Sequence, residues 1–235
     1  MKTSLIEQKY RHELKYIIST AQIPLLKSRI ANLMKPDPHA EKDGIYNIRS
    51  LYFDDYNNRC YYENENGTDP REKFRIRIYN HSPERITLEC KRKENGKTQK
   101  ISCPLTFEQA DQLIRGKTLS PIDTLPPLLK KFILEVRTKA FRPVVIVEYE
   151  RIPYIYKNGN VRVTFDTQIS SSSNVTDFFS DALPKRPIMP AGHQLMEVKF
   201  DEYLPDFIYR SLNIGDLQQT TYSKYYLCRK YALHK

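Results

Sequence analysis

Residues 73–80 read KFRIRIYN. Taken in twos, Lys73, Arg75 and Arg77 fall on one side, and Phe74, Ile76 and Ile78 on the other. Strict alternation of this kind predicts a β-strand with two unlike faces. The fold turns on whether the cationic face meets bulk water or something that needs its charge.

The pattern recurs on other stretches with strand character. In YRHELKYIIS (10–19), Arg11, Glu13 and Lys15 share a face, and in RITLECKRK (85–93), Thr87, Glu89, Lys91 and Lys93 do. Val147, Tyr149 and Arg151 align within RPVVIVEYERIPYIY (142–156). Arg162, Thr164 and Asp166 align in NVRVTFDTQI (160–169), as do Glu197 and Lys199 in HQLMEVKF (193–200). YNIRSLYFDD (46–55) and KTQKISCPL (97–105) complete the set of strand candidates. The short links NHSPE and ENG imply antiparallel hairpins. Helices are predicted over 20–34, with Thr20 as a possible cap, and over 106–115, 124–138, about 205–212 and 222–232. Residues 168–192, with a serine run and several prolines, read as a long loop. No repeat and no clear linker interrupts the 235 residues, so one domain is expected over 1–235. The fold class expected is α+β: about eight mostly antiparallel strands, closed or nearly closed into a barrel, with helices packed outside.

A sheet with one solvated face is the simpler alternative. Against it, the charged faces are mostly basic and would repel themselves if all were exposed. If the apolar faces pack outward under helices, the charged faces line an interior. Many cations with few carboxylates are tolerable inside only around an anion. A phosphate chain suits this, because arginine grips phosphate oxygens through paired donors.

Composition agrees. The chain is 40% hydrophobic and 28% charged, with 38 Lys and Arg against 28 Asp and Glu, a formal charge of +10. Such a bias suits an anionic partner without choosing one. Cys60, Cys90, Cys103 and Cys228 are widely spaced, which argues for reduced thiols in a cytoplasmic protein over a disulfide frame or zinc site. The opening MKTSLIEQKYRHELKYIIS carries charges throughout and does not read as a signal peptide. The longest aliphatic run, Val144–Val147, is too short to span a bilayer, so any membrane contact would come through a partner protein. Gly96-Lys97-Thr98 and Gly116-Lys117-Thr118 lack the earlier glycine of a P-loop, since Lys91 and Asp111 stand there.

RHELKY, SLYFD, KFRIRIY, LECKRK, EYER, RVTFD, MEVKF and YSKYY, in this order from about residue 8 to 231, resemble the catalytic domain of the vacuolar transporter chaperone (VTC) polyphosphate polymerases. These belong to the triphosphate tunnel metalloenzymes, or CYTH superfamily. The resemblance implies an eight-stranded antiparallel tunnel that holds ATP by its phosphates. It implies Lys15, Arg75, Arg77, Lys91, Lys100, Arg151, Arg162, Lys199 and Lys224 as phosphate ligands, with Tyr149 and Ser223 adding hydroxyl hydrogen bonds. Lys91, Arg75, Arg77 and Glu197 would carry catalysis. Glu197, helped by Glu13, would hold a divalent metal, Mn²⁺ or Mg²⁺. The implied reaction moves the γ-phosphoryl of ATP onto polyphosphate and releases ADP; no nucleic-acid partner is expected. The wider superfamily often opens with Glu-x-Glu-x-Lys, but Arg11 stands at the first Glu, which leans toward the polymerase branch. Two alternatives keep the same cage: a triphosphatase acting on nucleoside or inorganic triphosphate, and a non-catalytic polyphosphate- or RNA-binding module. The phosphate-sensing domain and transmembrane helices of the eukaryotic complexes are not in this sequence, so coupled export is not inferred.

Overall fold

The structure is a computed structural model that describes residues 6–7, 9–41, 43–214 and 217–233; the start of the stretch read for signal character lies outside these. Its strands are β1 (Ile6–Glu7), β2 (His12–Ser19), β3 (Lys35–Pro36), β4 (Tyr46–Asp54), β5 (Arg71–Tyr79), β6 (Ser82–Glu94), β7 (Lys97–Leu105), β8 (Arg142–Tyr156), β9 (Val161–Ser172), β10 (Arg186–Pro187) and β11 (His193–Phe200). Its α-helices are α1 (Gln22–Ile30), α2 (Arg59–Glu65), α3 (Phe107–Ile114), α4 (Pro127–Lys139), α5 (Asp206–Leu212) and α6 (Lys224–Leu233).

The eight long strands run antiparallel in the order β7-β6-β5-β4-β8-β9-β11-β2. The sheet curls until its ends meet: just before β2, Arg11 exchanges two backbone hydrogen bonds of 2.9 Å with Thr98 on β7. This is the curled antiparallel eight-stranded architecture that the alternation implied. Two hairpins drive it locally. At Asn80-His81 both residues have positive φ (50° and 57°), and at Asn95-Gly96 both do again (50° and 73°). Such left-handed pairs match the twist of the strands they join.

Register decides which faces turn inward. Arg75 opposes Glu89, Arg77 opposes Thr87, and Tyr52 opposes Arg75. The alternate residues Phe74, Ile76 and Ile78 are buried on the outer face, where Phe74 lies 5.3 Å from the ring of Phe132 on α4. A second outer core joins Val163, Phe165, Met196 and Val198 to Leu26 and Ile30 of α1 and Ile208 of α5. In contrast, α6 crosses the concave side. Its Tyr225 ring lies 5.0 Å from inward Tyr52, and its Lys224 reaches Asp166 on β9.

Local details differ from the sequence reading. The hairpin before β6 is two residues long, because β6 begins at Ser82 and admits Pro83 near its start. Thr20 does not cap α1; Ser19 and Gln22 instead exchange side chain-to-backbone hydrogen bonds, and the Thr20 hydroxyl donates to Gly192 O. The tyrosine-rich segment after β4 contains α2, whose start is held by Asp54 accepting from the backbone N–H groups of Cys60 and Tyr61. The loop read over 168–192 is shortened by β9, which runs to Ser172, and interrupted by β10.

Candidate phosphate-binding site

The concave face carries three charge clusters, each centred on buried carboxylates. On β6, Glu89 accepts from Arg75 at 2.6 Å and from Lys100 at 3.1 Å, with Arg77 at 3.6 Å. Burial would raise the Glu89 carboxyl, but Arg77, Arg75 and Lys100 overcome it and keep it ionised far below the usual range. Arg75 also donates to the Tyr52 hydroxyl at 2.8 Å and Arg77 to Ser50 at 3.0 Å.

The second cluster centres on Glu13 of β2. Lys91 lies 2.7 Å from it and Lys15 3.5 Å. Burial opposes its charge, yet Lys91, Lys15 and Lys199 hold its carboxyl well below the ordinary value. Lys15 lies 4.0 Å from Glu197 as well and so links this cluster to the third.

In the third, Arg151 makes paired bonds to Asp166 of 2.6 and 2.7 Å and reaches Glu197 at 3.3 Å. Lys224 contacts Asp166 at 2.5 Å and Glu197 at 2.7 Å, and Lys199 contacts Glu197 at 2.6 Å. Glu197 is kept well below the usual range: burial works against ionisation, and Lys199, Lys224, Lys15 and Arg151 prevail. Burial lowers Lys199 to about 8 despite Glu197 and Glu13. Tyr149 lies beneath the cations, with its ring centre 4.7 Å from Lys224 Nζ and 5.1 Å from Arg151.

The fold thus gathers Lys15, Arg75, Arg77, Lys91, Lys100, Arg151, Lys199, Lys224, Glu13 and Glu197 on one concave surface. Two sequence candidates stand differently. Arg162 pairs with Asp37, in the segment after β3, and its Nε has no hydrogen-bond partner. The Ser223 hydroxyl accepts from Tyr226 N at 3.3 Å, as helix-capping side chains do. Arg11, at the position where the superfamily often has Glu, pairs with Asp201 at 3.0 Å. Period two alone already turns Glu89 and Asp166 inward; only register shows which arginine each one balances. Tyr52 and Asp37 had no signal in spacing, because their roles depend on partners from distant strands.

A divalent cation would find carboxylates here but, among the described residues, no complete protein cage. Among the described residues no group of three or more His, Cys, Asp or Glu forms a protein cage for a metal. Mg²⁺-type sites use one or two carboxylates and complete their shell with substrate phosphates and water. Glu13 and Glu197 both pair with Lys15, at 3.5 and 4.0 Å, and would be the carboxylates to hold such an ion.

The family model of the VTC domain matches residues 10–233. No curated protein matches. HpAC1 of Hippeastrum, an adenylyl cyclase candidate with a dominant triphosphatase activity, superposes with a TM-score of 0.53 at 11% identity, covering 95% of this chain and 96% of that one. The PH1819 protein of Pyrococcus horikoshii OT3 gives 0.49 at 15% identity over 94% and 99% of the two chains. At these identities HpAC1 shares the fold, and the family assignment rests on the VTC match. Among the described residues no helix is long and apolar enough to cross a membrane.

Proposed function

Since the chain belongs to the VTC domain family, we propose that it is a polyphosphate polymerase that transfers the γ-phosphoryl of ATP onto a growing polyphosphate chain and releases ADP. The observation that carries this reading is the cationic concave face: eight candidate cationic ligands converge there, and Glu89, Glu13, Glu197 and Asp166 already neutralise part of their charge.

The carboxylates keep the guanidinium and ammonium groups oriented before substrate arrives. Each arginine has five N–H donors, so Arg75, Arg77 and Arg151 retain donors for phosphate oxygens beyond those already engaged. In the reaction the β–γ bridging P–O bond breaks and a new P–O bond forms to the terminal oxygen of the acceptor. That oxygen is already anionic, so no general base is needed, and positioning with charge neutralisation is the protein's main contribution. A divalent cation held by Glu197 and Glu13 would supply further neutralisation of phosphate charge. Arg75, Arg77 and Lys91 would grip the transferring group, and Arg151, Lys199 and Lys224 the remaining phosphates.

The second reading, a triphosphatase, is favoured by the fold shared with HpAC1. It uses the same cage with water as acceptor. Incubation of the pure protein with ATP and Mn²⁺ separates the two. Long-chain polyphosphate with ADP is expected; free phosphate accumulating without polymer would reject the polymerase.

A further inference from the structure

Lys73 lies outside the charge balance of the three clusters. It faces inward on β5 directly opposite Lys91, and Lys91 opposes Lys100 on β7. The three lysines make one inner row, and like charges opposed across strands repel. Glu13 balances Lys91 and Glu89 balances Lys100. Lys73 has neutral company instead: its ammonium donates to the Asn64 amide oxygen on α2 and sits 4.7 Å from the ring centre of Tyr225 on α6. An amide and an aromatic face hold a cation in place without cancelling its charge. Burial, with Arg71, Lys91 and Lys15 nearby, keeps that ammonium well below the ordinary lysine range.

The next row repeats the excess. Arg71 opposes Lys93, and Lys93 opposes Thr98 near the ends of these strands. From Arg77 to Lys73 the inner face of β5 runs about 13 Å at about 3.3 Å per residue. A triphosphate gripped at Arg77 and Arg75 therefore leaves the Lys73 end of the strand for something longer.

We propose that Lys73, flanked by Arg71 and Lys93, is a track for a phosphate chain longer than a triphosphate, leading it out of the cage past α2 and α6. This rests on the reading of the concave face as a phosphate cage. A linear anion continuing from Lys91 to Lys73 supplies a direct partner charge; among the described residues Glu63 on α2 feels the field of Lys73 but makes no ion pair with it.

Calorimetric titration of tripolyphosphate and of long linear polyphosphate into wild type and Lys73→Met tests the track. Methionine keeps an unbranched stem and removes the charge. Loss of one charge-assisted hydrogen bond should weaken long-chain binding about tenfold, with tripolyphosphate changed less than about twofold. Equal weakening of both, or of neither, overturns the track while leaving the cage intact. Wild-type protein that binds neither anion overturns the cage and the track with it. Should Lys73→Met fail to fold, the double variant Arg71→Gln, Lys93→Gln at the strand ends carries the same expectation and the same refuting outcomes.

Discussion

Glu89 is 2% exposed and surrounded by Arg75, Arg77 and Lys100. A carboxylate placed so can be read as structural, since removing one partner of a buried ion pair costs about 3–5 kcal/mol. It can also be read as a stand-in for phosphate. The second reading makes a prediction that the first does not. Glu89→Gln should lower thermal stability without ligand, yet tripolyphosphate should bind it more tightly than wild type, because the ligand replaces the missing charge. Calorimetry and melting curves with and without tripolyphosphate check both halves. Glu197 should behave differently. Glu197→Ala is expected to abolish turnover of ATP while phosphate binding stays measurable, and unchanged turnover would remove Glu197 from the mechanism. The inner-face identity of these residues was readable from period two. Their pairing was not, because Arg75 and Glu89 meet only once β5 and β6 settle into register, and Arg162 meets Asp37 through a segment with no periodic signal.

At the scale of elements, long alternating strands were legible and the exceptions have local causes. The segment RCYYENE has no stripe of apolar residues, so α2 is fixed by Asp54, which accepts from Cys60 N and Tyr61 N and also from the Tyr225 hydroxyl at 2.6 Å. Pro83 reads as a breaker but lies near the start of β6, where proline is tolerated. The segment after β9 is pinned to the outer face by a buried pair, Arg49 and Glu148, which are 2.5 Å apart. Arg49 also donates to the carbonyls of Phe178 and Ser180, and Lys185 reaches Glu148 from the same segment. Burial raises the Glu148 carboxyl, but Lys185 and Arg49 bring it from 4.5 down to about 2. A depressed carboxyl adds stability above its unfolded value, and that stability is lost as pH falls through the folded one. Wild type should therefore lose an increment of stability between pH 4.5 and about 2 that Glu148→Gln lacks. Denaturant midpoints measured across that range compare the two proteins. Equal pH slopes would contradict the assignment. In the same outer core, Phe132→Ala should cost about 3–5 kcal/mol, since a fully buried ring between Phe53 and Phe74 leaves a cavity.

At the scale of the molecule, closure of the sheet turns a net charge of +10 into a directed field. Arg11 and Thr98 bring the two ends together, so cations from β2, β5, β6, β7, β8, β11 and α6 converge instead of spreading over an open surface. Alternation made that closure plausible, but nothing in the sequence marked Thr98 as the place where it happens. Alternation gave no sign that α6 would enter the concave side, since YSKYYLCRKYA reads as an ordinary packed helix; only the resemblance, through Lys224 and Ser223, pointed there. The convergence makes this interior a candidate phosphate site. The most direct measurement is a crystal structure of the protein with tripolyphosphate bound. Phosphates are expected inside the curled sheet, between Arg75 and Arg77 on one wall and Arg151 and Lys224 on the other. Tripolyphosphate found only on the outer surface, with the inner cations still paired solely to Glu89, Glu13, Glu197 and Asp166, would contradict this expectation.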